Sequence, residues 1–343
     1  MENFQEPAPE MKEESQPVTE APVVYPPKFE KQNDPANVWI RSAVSLAFYL
    51  LIGYYIFPSY KTLLLITAIV FIHEMGHFLA MKLFRYADLG IFFIPLLGAY
   101  VSGTKREVSQ KESAIILLAG PMPGIIIGIF FYFLWKSDPY FGGIGGLSYQ
   151  TISSWFIFLN LFNLLPVYPL DGGQLLNRVF LDEEGWLGKI FVFLSAAAMF
   201  WFAWRLYSYS HQPVYFIFFL FPLSIMLRMS GDSRLRSAEK KVESAGLNMD
   251  KSYSDLTDEE YWKTRDILIG NYPPFREMRS GPPYEYSEKE ERIMVTIQSL
   301  LHRHLLQDVS LAGKLFIFLL WAAGIASPWL LDMDLELFRR LGL

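Results

Sequence analysis

The chain is written in apolar runs of membrane-spanning length. A helix needs roughly 20 mostly apolar residues to cross about 30 Å of hydrocarbon. Runs of about that kind occupy Val38–Phe57, Thr62–Phe84, Ser113–Trp135, Thr151–Val167, Leu187–Leu206, the shorter Val214–Leu227, and Lys314–Leu331. Glycine and proline inside them are no obstacle, because neighbouring helices can satisfy the backbone groups they free. Two other stretches break the rhythm. Tyr86–Thr104 is apolar, but its aromatic and β-branched residues, with Pro95, Gly98 and Gly103, predict two strands and a turn. Such a hairpin must pack on protein or line a cavity, since an open strand edge cannot face lipid. Ser230–Gln307 is polar, with capping-box spacing at Thr257/Glu260 and at Ser287/Glu290 around a Pro/Gly-rich loop.

The predicted architecture is an all-α polytopic membrane protein. It has about six to seven transmembrane helices, a membrane-associated β-hairpin and a small helical cytoplasmic segment. Residues 1–37, rich in Pro, Glu and Gln, read as a disordered polar tail. Residues 38–229 form the membrane core, 230–309 a small cytoplasmic domain or helical hairpin, and 310–343 a last transmembrane helix and tail.

Composition agrees: 52% of residues are hydrophobic and only 19% charged, against roughly 25% charged in soluble proteins. The net charge of −5 sits mostly in the two polar segments, and nothing in it points to nucleic acid. With no cysteine, thiolate metal sites are excluded, leaving His, Asp and Glu as ligands. Basic residues cluster after the second run (Lys82, Arg85, Lys105, Arg106, Lys111) and after the sixth (Arg228, Arg234, Arg236, Lys240, Lys241). The positive-inside rule then puts the N-terminus and Ser230–Gln307 in the cytoplasm, in a multi-pass protein of the cell membrane.

The second run holds the chemistry. In "AIVFIHEMGHFLAMKLF", His73 and His77 are four residues apart and share a helix face. Glu74 is displaced by one position, beside any ion the two imidazoles hold. This is the HExxH arrangement of zinc metalloproteases. Ionisable groups inside a span are expensive, roughly 2.5–3.5 kcal/mol each for Asp, Lys or Arg, and mark function by default. A catalytic zinc takes three protein ligands and leaves a fourth position for water. Acidic and histidine residues are otherwise rare in the spans, and Asp171, in "NLFNLLPVYPLDGG", stands out where Pro166 and Pro169 break a helix. The second and fourth spans run in the same direction, which puts all three ligands at one depth, toward the cytoplasmic side.

With these motifs the chain resembles the site-2 protease family of intramembrane zinc metalloproteases. "HEMGH" and the later "NLLPVYPLDGG" carry the resemblance, with "AGPMPG" at Ala119–Gly124 and "GAYV" at Gly98–Val101, across roughly residues 40–185. It implies one Zn2+ on His73, His77 and Asp171, with Glu74 as general base. It also implies a strand-binding role for Gly98, Ala99 and Tyr100, and substrate contact by Asn163. The implied partners are the lipid bilayer and a transmembrane protein or peptide substrate. Gly124 stands where the family often has Asn, and the loop Lys136–Gln150 is too short for the PDZ domain many members carry.

The competing readings are a non-proteolytic metal-binding scaffold or regulator on the same fold, a zinc transporter, and a protease of the prenyl-protein processing kind. A transporter would spread ionisable groups along a path. The last would need a glutamate ligand in an apolar span after Asp171, and there is none. His211 falls in a short loop, and His302 and His304, two apart, lie on different faces of an amphipathic helix.

Overall fold

In a computed structural model, the structure describes residues 24–30, 35–57, 59–95, 97–105, 108–140, 142–181, 185–211, 216, 218–249, 251–301 and 305–333. Its elements run α1 (Pro35–Ile56), α2 (Tyr60–Leu83), β1 (Ala87–Ile94), β2 (Gly98–Thr104), β3 (Val108–Ser109), α3 (Gln110–Ala119), α4 (Pro121–Ser137), β4 (Gly143–Ile144), β5 (Leu147–Ser148) and α5 (Tyr149–Leu164). There follow α6 (Asp171–Leu175), which passes into a π-helical turn at Leu176–Leu181, then α7 (Trp186–Ser210) and α8 (Leu220–Ser244). The chain closes with α9 (Asp258–Asn271), α10 (Glu290–Leu300), β6 (Leu305–Leu306) and α11 (Leu311–Leu330).

Among the described residues five helices are long and apolar enough to cross a membrane: Val38–Ile56, Tyr60–Leu83, Gln110–Ser137, Trp186–Tyr209 and Leu311–Leu330. Two predicted spans fall short of that standard. Thr151–Val167 corresponds to α5, which has 16 residues and stops at Leu164, ahead of Pro166. Val214–Leu227 is no separate element; its described end is the start of α8, which continues unbroken to Ser244. The division at residue 230 therefore falls inside a helix, because Gly231 and Ser233 do not interrupt the backbone pairing there. His302 and His304 lie outside the described residues.

The predicted hairpin forms, with β1 antiparallel to β2 and Ile91, Phe92, Phe93 and Ile94 opposite Val101, Tyr100, Ala99 and Gly98. Strand alternation buries Ile91 and Phe93 against Tyr49 of α1 and Leu63 and Phe78 of α2. The Phe93 amide donates to Ser45 Oγ at 3.1 Å. Helix α2 also packs against α3, α4 and α5, which with α6 share a core that includes Leu117, Ile125, Ile157, Leu161, Leu164 and Leu175. The α3–α4 rod bends at Gly120–Pro121, where prolines 121 and 123 remove amides that would bond to the preceding turn. Across the break after α5, Trp321 of α11 donates to the freed Leu164 carbonyl at 2.9 Å.

The polar unit has its own core, in which Ala238, Val242, Leu256, Tyr261, Trp262, Leu268, Ile293 and Ile297 cluster. Thr257 caps α9 with the predicted reciprocal box to Glu260. At Ser287 the box is half made: the Glu290 carboxylate reaches the Ser287 amide at 3.0 Å, and the regular helix starts only at Glu290. Residues 24–30, assigned above to a disordered tail, instead lie along this unit, anchored by Tyr25 and Phe29. Composition averaged over the tail hides that short aromatic and proline segment. On its way to α11 the chain returns to the membrane core: β6 pairs in parallel with β3. There Asp308 accepts from Ser109 Oγ at 2.5 Å and from the Lys111 amide at 3.2 Å, at the start of α3.

Glu290 holds the unit together. Arg265 Nε donates to Glu290 Oε1 at 2.8 Å and Tyr261 donates to the same oxygen at 2.6 Å, with the two charged side chains 3% and 1% exposed. Burial pushes the Glu290 carboxyl up, but hydrogen bonds from Arg265, Tyr261 and Ser287 outweigh it and hold the group below its ordinary 4.5. The stability it contributes is therefore present above 4.5 and is lost as pH falls through the depressed value. Glu290→Gln removes the carboxylate that meets buried Arg265 at 2.8 Å and leaves it Asp266, at 4.0 Å, which costs about 3 kcal/mol. Hydrogen exchange of amides in α9 and α10 should accelerate by about a hundredfold, and its acid dependence should flatten; unchanged protection would contradict this.

Candidate metal centre

The local sequence explains each ligand's position. His73 and His77 lie one turn apart on α2, and both are buried within the protein, as is Glu74. Asp171 is the first residue of α6, placed there because Pro166 and Pro169 end α5 and force a turn. The three ligand atoms converge: His73 Nε2 is 2.9 Å and His77 Nε2 3.3 Å from Asp171 Oδ2, and the two nitrogens are 3.1 Å apart. The residues predicted from separate spans thus meet at one point, and they form the group able to hold a metal ion among the described residues.

The far side of each imidazole decides what that point can hold. His77 Nδ1 donates to the Ile116 carbonyl at 2.7 Å, one of the last four carbonyls of α3 and so without a partner inside its helix. His73 Nδ1 lies 2.9 Å from Asn160 Oδ1. The Asn160 amide nitrogen donates to the Phe156 carbonyl at 2.8 Å, which leaves Oδ1 as the acceptor. Both rings therefore carry their proton on Nδ1 and turn an Nε2 lone pair inward. Two nitrogen lone pairs and a carboxylate oxygen that has no hydrogen-bond partner then face one another. Such a set repels itself unless a cation sits between, and two imidazoles with one carboxylate suit zinc.

Close packing leaves little freedom here. A Cβ on Gly120 would lie 2.3 Å from His77 Nε2, and one on Gly124 would lie 2.1 Å from the Asn160 amide nitrogen. Gly124 is thus the residue that lets Asn160 reach His73. Glu74 is 6% exposed and takes a backbone hydrogen bond from Val101 of β2. Gly98, Ala99 and Tyr100 sit just before it on the same strand, with Gly98 at φ 101° forming the turn and the Tyr100 ring stacked on Phe92 at 5.6 Å. Asn163 donates to Leu159 within its own helix at 3.2 Å. The asparagine that touches a ligand is Asn160, which the sequence reading passed over. Its signal was a second amide in the apolar run "FLNLFNLL", on the helix face that meets the glycines of α4.

Residues 61–139 match Peptidase family M50, a stretch that includes the histidine pair and Glu74 but stops before Asn160 and Asp171. The chain is 30% identical to Stage IV sporulation protein FB of Bacillus subtilis over 127 residues, 36% of this chain and 41% of that protein. It is also 30% identical to a zinc metalloprotease of Methanocaldococcus jannaschii over 133 residues, 38% of each. The chain thus spans about two fifths of the length of these curated relatives. The solved Site-2 Protease from Methanocaldococcus jannaschii aligns with TM-score 0.39 and 22% identity over 57% of this chain and 88% of that one. Over residues 61–139, and over less than two fifths of its length in each curated comparison, the chain is thus similar to peptidase family M50 and its zinc metalloprotease relatives.

Proposed function

We propose that the protein is an intramembrane zinc metalloendopeptidase that hydrolyses a peptide bond within or near the transmembrane helix of a membrane-protein substrate. The observation that carries the reading is the convergence of His73, His77 and Asp171 on one point, with Glu74 buried beside it. His73, His77 and Asp171 would hold a single ion. Bound there, zinc supplies Lewis acidity for the scissile carbonyl and lowers the pKa of a water to about 7. Glu74 takes the proton of the attacking water and passes it to the leaving amine. Asn160 and the Ile116 carbonyl hold the two imidazoles in the tautomer that ligation needs.

A peptide bond in a helix is shielded by its own i→i−4 hydrogen bonds, so the substrate must be opened before it is cut. Strand β2 is the proposed receiver, with Gly98, Ala99 and Tyr100 offering backbone groups to an extended substrate segment by strand addition. The Val101–Glu74 hydrogen bond supports this, since it sets that strand against the proposed base. Asn163 is the proposed contact for the substrate backbone.

The proposed topology adds α5 and the apolar start of α8 to the five long helices, giving seven crossings in the cell membrane. Residues 24–30 and the 249–301 unit, which touch, then lie on one side, with the N-terminus in the cytoplasm and the site toward that face. A non-proteolytic metal-binding scaffold is the alternative.

Two variants test the proposal. Glu74→Gln should retain stoichiometric zinc and normal folding yet reduce cleavage of a reporter membrane substrate by at least about a hundredfold, since proton transfer contributes roughly 10²–10⁴. Retained cleavage would remove Glu74 as base, and absence of cleavage by the unaltered protein across membrane proteomes would favour the scaffold. Asn160→Ala should weaken zinc affinity by about 10- to 100-fold in a chelator competition, with folding retained; equal affinity would dismiss its orienting role.

A further inference from the structure

Residues 24–30 lie on the helical unit with a three-residue rhythm. Val24, Pro27 and Glu30 are exposed, whereas Tyr25, Pro26, Lys28 and Phe29 are partly buried. Three residues per turn is the repeat of polyproline II, a conformation that makes no hydrogen bonds of its own. The partners come from aromatic side chains across the interface. Trp262 Nε1 donates to the Pro26 carbonyl at 2.8 Å, Tyr286 to the Pro27 carbonyl at 2.5 Å and Tyr253 to the Phe29 carbonyl at 2.5 Å. Rings pair as well: Tyr25 stacks on Tyr284 at 5.3 Å, and Phe29 meets Tyr286 edge-on at 5.6 Å.

Lys28 supplies a second kind of specificity. Its ammonium donates to the carbonyls of Tyr253, Ser254 and Leu256 at 3.1, 2.6 and 2.8 Å, so all three of its protons have an acceptor. It also lies 5.7 Å from the centre of the Tyr253 ring. The Lys28 amide donates to Asp258 at 2.8 Å. Three convergent carbonyls fit a compact ammonium and not the flat fork of a guanidinium. The fully buried core beneath is drawn only from residues 238–301, with Tyr25 and Phe29 packed at its rim. Aromatic side chains donating to the carbonyls of a proline-rich strand, with a separate pocket for a charged residue, is the logic of a peptide-recognition groove.

We infer that the 249–301 unit is a peptide-binding module for extended segments of the form aromatic-Pro-Pro-Lys-aromatic, and that Tyr25–Phe29 is a tethered occupant that such a segment on a partner protein can replace. The tether raises the local concentration of the internal segment, so a free competitor meets a groove already filled. Nothing in this depends on the metal centre or its chemistry.

The test uses full-length protein in detergent with a specific protease site inserted between Glu30 and Pro35. After cleavage, excess synthetic Val-Tyr-Pro-Pro-Lys-Phe-Glu peptide should displace the N-terminal fragment, and the emptied protein should bind the fluorescent peptide by anisotropy. Uncleaved protein should bind it at least tenfold more weakly, and a peptide with alanine for lysine should lose at least tenfold in affinity. Hydrogen exchange in α9 and α10 checks that the emptied unit stays folded. The inference is overturned if the fragment resists displacement, if the emptied unit unfolds, if it ignores the peptide, or if the alanine peptide binds equally well.

Discussion

The membrane core is organised around a repulsion. Two imidazole nitrogens and a carboxylate oxygen are brought within 3.3 Å of one another, in a region where low dielectric magnifies every unbalanced charge. The packing reads as a means of holding that unfavourable set still. Gly120 and Gly124 let α3 and α4 close on the ligands, Asn160 and Ile116 fix the rings from behind, and the break after α5 delivers Asp171. A cation placed there turns the least favourable contact in the bundle into its most favourable one, and the surrounding apolar core then keeps competing water away.

Most of this centre was legible in the sequence because its parts carry strong, local signals. Two histidines at helical spacing in an apolar run announce a shared face, and two prolines ahead of an aspartate announce a broken helix. The hairpin was legible for the same reason, through β-branched residues around a glycine turn. What stayed hidden depends on three-dimensional closeness. Asn160 and Asn163 are equivalent as letters, and only the approach of α4 distinguishes the one that meets His73. The Ile116 carbonyl has no residue-type signal at all, since any residue in that last turn would present it. The boundaries of α5 and α8 were misjudged where hydropathy alone had to stand in for backbone continuity.

The polar segments follow a different logic. Their net composition describes solvation, while their order depends on a few aromatic residues that averaging conceals. Tyr25, Pro26 and Phe29 are outnumbered in their tail, yet they match Trp262, Tyr284 and Tyr286 over two hundred residues later. Such complementarity at long sequence separation leaves no periodic trace. Arg265 and Glu290 show the same limit, because their burial is visible only once α9 and α10 are packed together.

Helix α3 has ten residues, about 15 Å of stiff rod. The Asp308 carboxylate grips one end of it, and the other end offers the carbonyl that steadies His77. A rod of that length transmits displacement rather than absorbing it. The strand leaving the helical unit and the His77 imidazole therefore sit at the two ends of one short rigid element.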